Sequence, residues 1–98
     1  MNRPVVFRRQ ARLEYGEAAD WYEDRRAGLG AKFTDAVQEV LDSASVNPSR
    51  HPRVFDEVRE GLVQGFPYCV YYREERGNLL VIGVFHTSRD PSIWQSRA

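Results

Sequence analysis

Leu79-Leu80-Val81-Ile82-Gly83-Val84-Phe85-His86-Thr87 is almost continuously apolar, and its nine residues suit a strand. A strand that is apolar on both faces belongs in the middle of a sheet, covered above and below. Immediately upstream, Phe66 to Arg73 is aromatic and β-branched, and Glu75-Arg76-Gly77-Asn78 between the two runs is a turn signal. The pair therefore reads as an antiparallel hairpin. Before it, Val54 to Leu62 alternates loosely and supplies a third strand. Within the Phe66 run, parity puts Phe66, Tyr68 and Tyr72 on one face and Cys69, Tyr71 and Arg73 on the other. The first set reads as core, and the second as lying on the sheet's open face.

Towards the N-terminus the period changes from two to between three and four. Ala11, Tyr15, Ala18 and Tyr22 form one stripe, with Glu14, Glu17, Asp20 and Glu23 between them on the wet sides. This predicts a helix from about Gln10 to Arg26, with Arg25 and Arg26 at the negative end of its dipole and Gly28 as its stop. Leu29, Phe33, Ala36, Val37, Val40, Leu41 and Ala44 restart the stripe, so a second helix from about Leu29 to Ser45 folds back on the first. Asn47-Pro48 ends it. Val5-Val6-Phe7 is long enough for one strand at the start. The expected fold is α+β, in the order β-α-α-β-β-β. It is an antiparallel sheet with an N-terminal αα-hairpin on one face and a short C-terminal piece in which Trp94 covers the sheet edge.

Ninety-eight residues, 42% hydrophobic and 29% charged, are read as a single domain over residues 1–98 with enough apolar surface for a core. Cys69 is the single cysteine, so no intramolecular disulfide framework forms, and no apolar run approaches the roughly 20 residues that span a bilayer. A reduced, cytoplasmic protein without membrane contact is expected. Fourteen basic residues balance fourteen acidic ones, which removes any overall steering towards nucleic acid. All the basic residues except Lys32 are arginine, the residue suited to bidentate contact with carboxylate or phosphate.

Other chemistries find little support. Two histidines, His51 and His86, with one cysteine give no zinc spacing, and Glu14, Glu17, Asp20 and Asp24 read as a solvated helix face, so neither metal nor cofactor is expected. Gly28-Leu29-Gly30 follows a helix and is not a phosphate loop. Cys69 in an aromatic strand reads as buried and inert. Arg59, His86 and Arg89 are the candidates for chemistry, with His86 as general acid or base and Arg59, Arg73 and Arg89 able to join a substitute cationic cluster. Their structural counterparts are Arg59 pairing with Glu57, Glu60 or Asp90, and His86 bonded to backbone or to Asp90. For Arg89 and Asp90, the counterpart is a local salt bridge and turn seating Trp94.

Trp21-Tyr22-Glu23, Gly28-Leu29-Gly30 with Phe33, Pro48, Val58-Arg59, Phe66-Pro67-Tyr68 with Val70, Tyr71 and Tyr72, and finally His86, Arg89-Asp90-Pro91, Trp94 and Arg97 occur in that order. Together they resemble the RelE/ParE toxin superfamily, most closely its ParE-like, plasmid-stabilisation branch. The resemblance implies the same order of elements and a bacterial toxin neutralised by an antitoxin partner. RelE-type members cut mRNA on the ribosome, using basic residues. The positions that correspond to two of their arginines hold Cys69 and Thr87, whereas His86, Arg89 and Asp90 match the H-x-x-R-D motif of the ParE-like branch. The resemblance thus implies a toxin of a type II toxin–antitoxin system that inhibits DNA gyrase by binding and, like the ParE-type members, has no established catalytic residue. Its alternatives are a ribosome-dependent mRNA endonuclease and an inactive orphan binding module. The partner-binding set is Arg59, Tyr71, Arg73, Arg89, Trp94 and Arg97, in a homodimer or a toxin–antitoxin hetero-oligomer.

Overall fold

The computed structural model describes residues 2–98. Strand β1 (Val5–Phe7) leads into helices α1 (Arg9–Arg25) and α2 (Leu29–Val46). A turn of 3-10 helix at Pro48–Arg50 precedes strands β2 (Arg53–Phe55), β3 (Val58–Leu62), β4 (Tyr68–Glu75) and β5 (Asn78–His86), and the short helix α3 (Ser92–Gln95) follows. The sheet order is β1-β5-β4-β3-β2. Both long helices lie within a residue of the expected bounds.

Three features of the strands depart from the expectation. The Val54–Leu62 stretch is two strands, because Asp56 takes φ 49° and turns the chain between β2 and β3. The sheet is mixed: β1 runs parallel to β5, since the αα-hairpin carries the chain across the sheet, while the remaining pairs are antiparallel. Phe66 stands before β4, yet its ring packs edge-on against Phe33 and Tyr22 at 5.2 and 4.9 Å. The β4–β5 turn is as read, with Arg76 and Gly77 both at positive φ, as a two-residue hairpin turn requires.

The central strand is covered on both sides. Leu79, Val81 and Val84 face the helices with Val70, Tyr72, Phe33, Val37 and Leu41, while Leu80, Ile82 and Phe85 join Val58, Cys69, Tyr71 and Trp94 on the other face. The jump from Val81 to Val84 marks a β-bulge: Tyr72 opposes Val81 and Tyr71 opposes Gly83, leaving Ile82 as the extra residue. The face opposite the helices is not open at this point. Trp94 does not cover the edge as expected but lies flat on Tyr71, with ring centroids 4.0 Å apart.

The helix corner is built from one carboxylate. Glu23 accepts the Gly28 and Gly30 N–H groups at 2.9 and 3.0 Å, doing for α2 what an N-cap side chain does elsewhere. Gly30 must lack a side chain, because a Cβ there would stand 2.7 Å from the Ala19 carbonyl oxygen of α1.

Candidate partner-binding cleft

Strand β1 is short, and the position of its end decides the site. Its register ends at Phe7 opposite Val81, with one further bond from Arg8 N–H to the Val81 carbonyl at 2.9 Å. From Ile82 to His86, β5 therefore has β4 on one side and no strand on the other. Side chains take over the ladder there. Glu14 Oε1 accepts the Val84 N–H at 3.1 Å, and the Arg97 guanidinium donates to the Ile82 carbonyl at 3.0 Å. Glu14 and Arg97 are themselves joined by two bonds of 3.0 and 2.9 Å, and each side chain is 14% exposed. Arg89 adds a third, longer contact to Glu14 at 3.3 Å while its guanidinium lies over the Phe85 ring.

Beside this edge, α1 and the β4–β5 end enclose a cleft of about 500 Å³, lined by Glu17, Trp21, Tyr22, Tyr68, His86 and Arg89 among others. Burial raises the Tyr22 and Tyr68 phenols above their ordinary range, so both remain neutral hydroxyls. The His86 ring stands edge-on to Tyr68 at 5.3 Å, and its Nδ1 lies 3.0 Å from the Ser88 N–H, whose proton it accepts. The volume and aromatic walls match those of ordinary binding pockets, with a cationic group at one end.

The candidates for chemistry divide between two places. His86 and Arg89 share the cleft. Arg59 lies opposite Tyr72, four residues along β4 from the Tyr68 that faces His86, and donates to the His51 carbonyl at 2.6 Å instead of pairing with Glu57, Glu60 or Asp90. Arg89 pairs with Glu14 and not with Asp90. Asp90 instead accepts the Ser92 N–H at 2.9 Å, which holds its carboxyl below the usual range and opens the turn that seats Trp94.

Of the expected partner-binding set, Tyr71 and Trp94 are only 7% and 3% exposed, which corrects the placement of Tyr71 on an open face and leaves little of Trp94 for a partner to touch. Stacking between them excludes water, and the Tyr71 hydroxyl donates to Glu60 at 2.8 Å. Arg73 pairs with Glu75 at 3.3 Å, and Arg97 is held by Glu14. Cys69 is buried, and burial pushes its thiol up. Among the described residues, no three His, Cys, Asp or Glu side chains come together to hold a metal ion, and no helix is long and apolar enough to cross a membrane.

Glu14 is the residue that sequence reasoning misplaced. It lies three residues after buried Ala11 and four before buried Ala18, on the inward stripe, where a carboxylate must find partners. That spacing was the available signal.

The sequence matches, over residues 5–91, the family model described as the ParE toxin of the type II toxin–antitoxin system parDE. No curated protein matches significantly. Among solved structures, a chain of the chromosomal ParDE toxin–antitoxin system from P. aeruginosa is similar, with a TM-score of 0.73 at 12% identity, covering 86% of this chain and 95% of that one. At that identity the likeness concerns the fold. The match of the family model to nearly the whole chain carries the assignment: this protein belongs to the ParE toxin family of type II toxin–antitoxin systems.

Proposed function

We propose that this chain is a cytoplasmic ParE-like toxin that blocks DNA gyrase by binding it and is held inactive by a cognate antitoxin. The observation that carries the non-enzymatic reading is how the arginines are used. Arg59 supports the His51 carbonyl, Arg73 pairs with Glu75, and Arg89 and Arg97 converge on the Glu14 carboxylate. Phosphoryl-transfer chemistry needs cations gathered where the phosphate develops charge. The two positions where the mRNA-cutting branch has arginine hold buried Cys69 and exposed Thr87.

The antitoxin docks in the cleft along α1, where its apolar side chains meet Trp21, Tyr22 and Tyr68 and its carboxylates meet Arg89. Arg59 and Arg73 lie outside the cleft and meet further carboxylates where the antitoxin continues across the sheet. Contact with Tyr71 and Trp94 requires movement of the segment that covers them.

Purified protein added to gyrase and relaxed DNA should stop supercoiling, and co-expression with the neighbouring small gene product should give one complex and restore growth. The presence of His86, Arg89 and Tyr68 in one cleft favours the mRNA endonuclease as the second reading. Mapping of mRNA ends after induction separates the two. Codon-phased cuts that vanish in folded His86→Ala would establish the endonuclease, and unimpeded supercoiling together with normal growth would leave an orphan binding module.

A further inference from the structure

The Glu14–Arg97 pair ties together three parts that are distant in sequence: α1, the bulged edge of β5, and the segment after α3. Arg97 reaches the Ile82 carbonyl from the side of the sheet where Trp94 lies on Tyr71, and its guanidinium is 5.2 Å from the Phe85 ring. Glu14 reaches the Val84 N–H from the helix side, within the cleft. A four-residue helix such as α3 has little stability of its own, so its position depends on these attachments. Trp94 supplies one of them, and Arg97 the other.

We propose that Glu14 and Arg97 form a latch: a side-chain rung that completes the β5 edge and fastens residues 92–98 over the face opposite the helices, so that docking of this segment and order at the cleft are a single coupled equilibrium. Because β1 ends at Phe7, the Ile82 carbonyl and the Val84 N–H on this edge of β5 have no strand to pair with, and an ion pair is suited to satisfy both. The carboxylate accepts and the guanidinium donates, while each neutralises the other in a half-buried place. Loss of either partner leaves a charge and a backbone group together without a mate. Coupling between the two ends is reciprocal, so release of Trp94 must be felt at the Val84 amide as fully as release of Glu14 is felt at Trp94.

The test uses the full chain carrying Trp21→Phe, which leaves Trp94 as the single tryptophan, excited selectively over the tyrosines. Arg97→Met keeps the apolar stem and removes the guanidinium. In that variant acrylamide should quench Trp94 several-fold more efficiently, and the Val84 amide should exchange about tenfold faster or more, measured against the Tyr72 amide in the main core so that global destabilisation cancels. Trp94→Ala, read by exchange alone, should free the Val84 amide by a similar factor. Arg89→Met, which removes the longer contact to Glu14 and the stacking on Phe85 but leaves the Glu14–Arg97 pair in place, should change neither reading much. If Arg97→Met fails to fold, Glu14→Gln takes its place and should expose Trp94 while its amide oxygen still accepts from Val84. Unchanged Trp94 quenching in a folded Arg97→Met or Glu14→Gln variant overturns the latch. Unchanged relative exchange of Val84 in Trp94→Ala overturns the coupling.

Discussion

Phe33→Ala is the sharpest test of how the αα-hairpin sits on the sheet. The Phe33 side chain is fully buried, and its ring meets Tyr22, Phe66 and Tyr68 with centroids 5.3, 5.2 and 5.1 Å away and Tyr15 at 6.3 Å. It is thus the hub at which α1, α2 and the start of β4 converge. Truncation to alanine removes the transfer energy of the ring and leaves a cavity that four aromatic neighbours cannot collapse into, which costs about 3 to 5 kcal/mol. Stability of a chain this size is about 5 to 15 kcal/mol, so the variant should fold but marginally. An unfolding entropy near 2.1 cal/mol/K per residue gives about 0.2 kcal/mol/K for the chain, and a loss of about 4 kcal/mol lowers the melting temperature by roughly 20 °C. Calorimetry and urea unfolding check both numbers, with the urea m-value unchanged. Phe33→Leu should cost about 1 to 2 kcal/mol and serves as the intermediate point. A melting temperature within about 5 °C of the parent in Phe33→Ala would refute the placement of α2 over the aromatic cluster.

Two further substitutions and a titration extend the test. Gly30→Ala drives a methyl group into the Ala19 carbonyl and displaces the Glu23 carboxylate, costing about 1 to 3 kcal/mol, whereas Gly16→Ala meets nothing within 4 Å and should stabilise α1 by about 0.5 to 1 kcal/mol. A denaturant midpoint for Gly30→Ala at or above that of the parent would contradict the close approach of the helices. Burial pushes the Tyr72 phenol up to about 12, and burial together with the Glu60 carboxylate raises that of Tyr71 further. An unfolded tyrosine ionises near 10, so stability is fully present below about pH 10 and falls as the pH rises towards about 12, because the unfolded chain releases protons that the folded chain keeps. Thermal melts across that range, with phenolate absorbance as a second probe, should show these two phenols ionising only as the protein unfolds. Ionisation of all five tyrosines near pH 10 in the folded state would contradict their burial.

The sequence by itself determined the elements whose signal is local. The Ala11 and Leu29 stripes specify two helices within a residue of their ends, since a period between three and four needs no partner to be read. The two-faced apolar run at Leu79 specifies the central strand, and Arg76-Gly77 its turn. The ordered motifs around Trp21, Phe66 and His86 already resembled the family that the whole-chain match identifies. Tertiary structure decided everything that depends on where a strand stops beside another. The end of β1 at Phe7 leaves the edge of β5 uncovered, and the bulge at Ile82 shifts which residues face the helices. The partners of Glu14 lie 70, 75 and 83 residues away, so no periodicity within α1 can name them. Trp94 likewise buries Tyr71 only because the chain returns across the second face. Parity along a strand says which side chains share a face, but what covers that face is set by contacts between residues far apart in the chain.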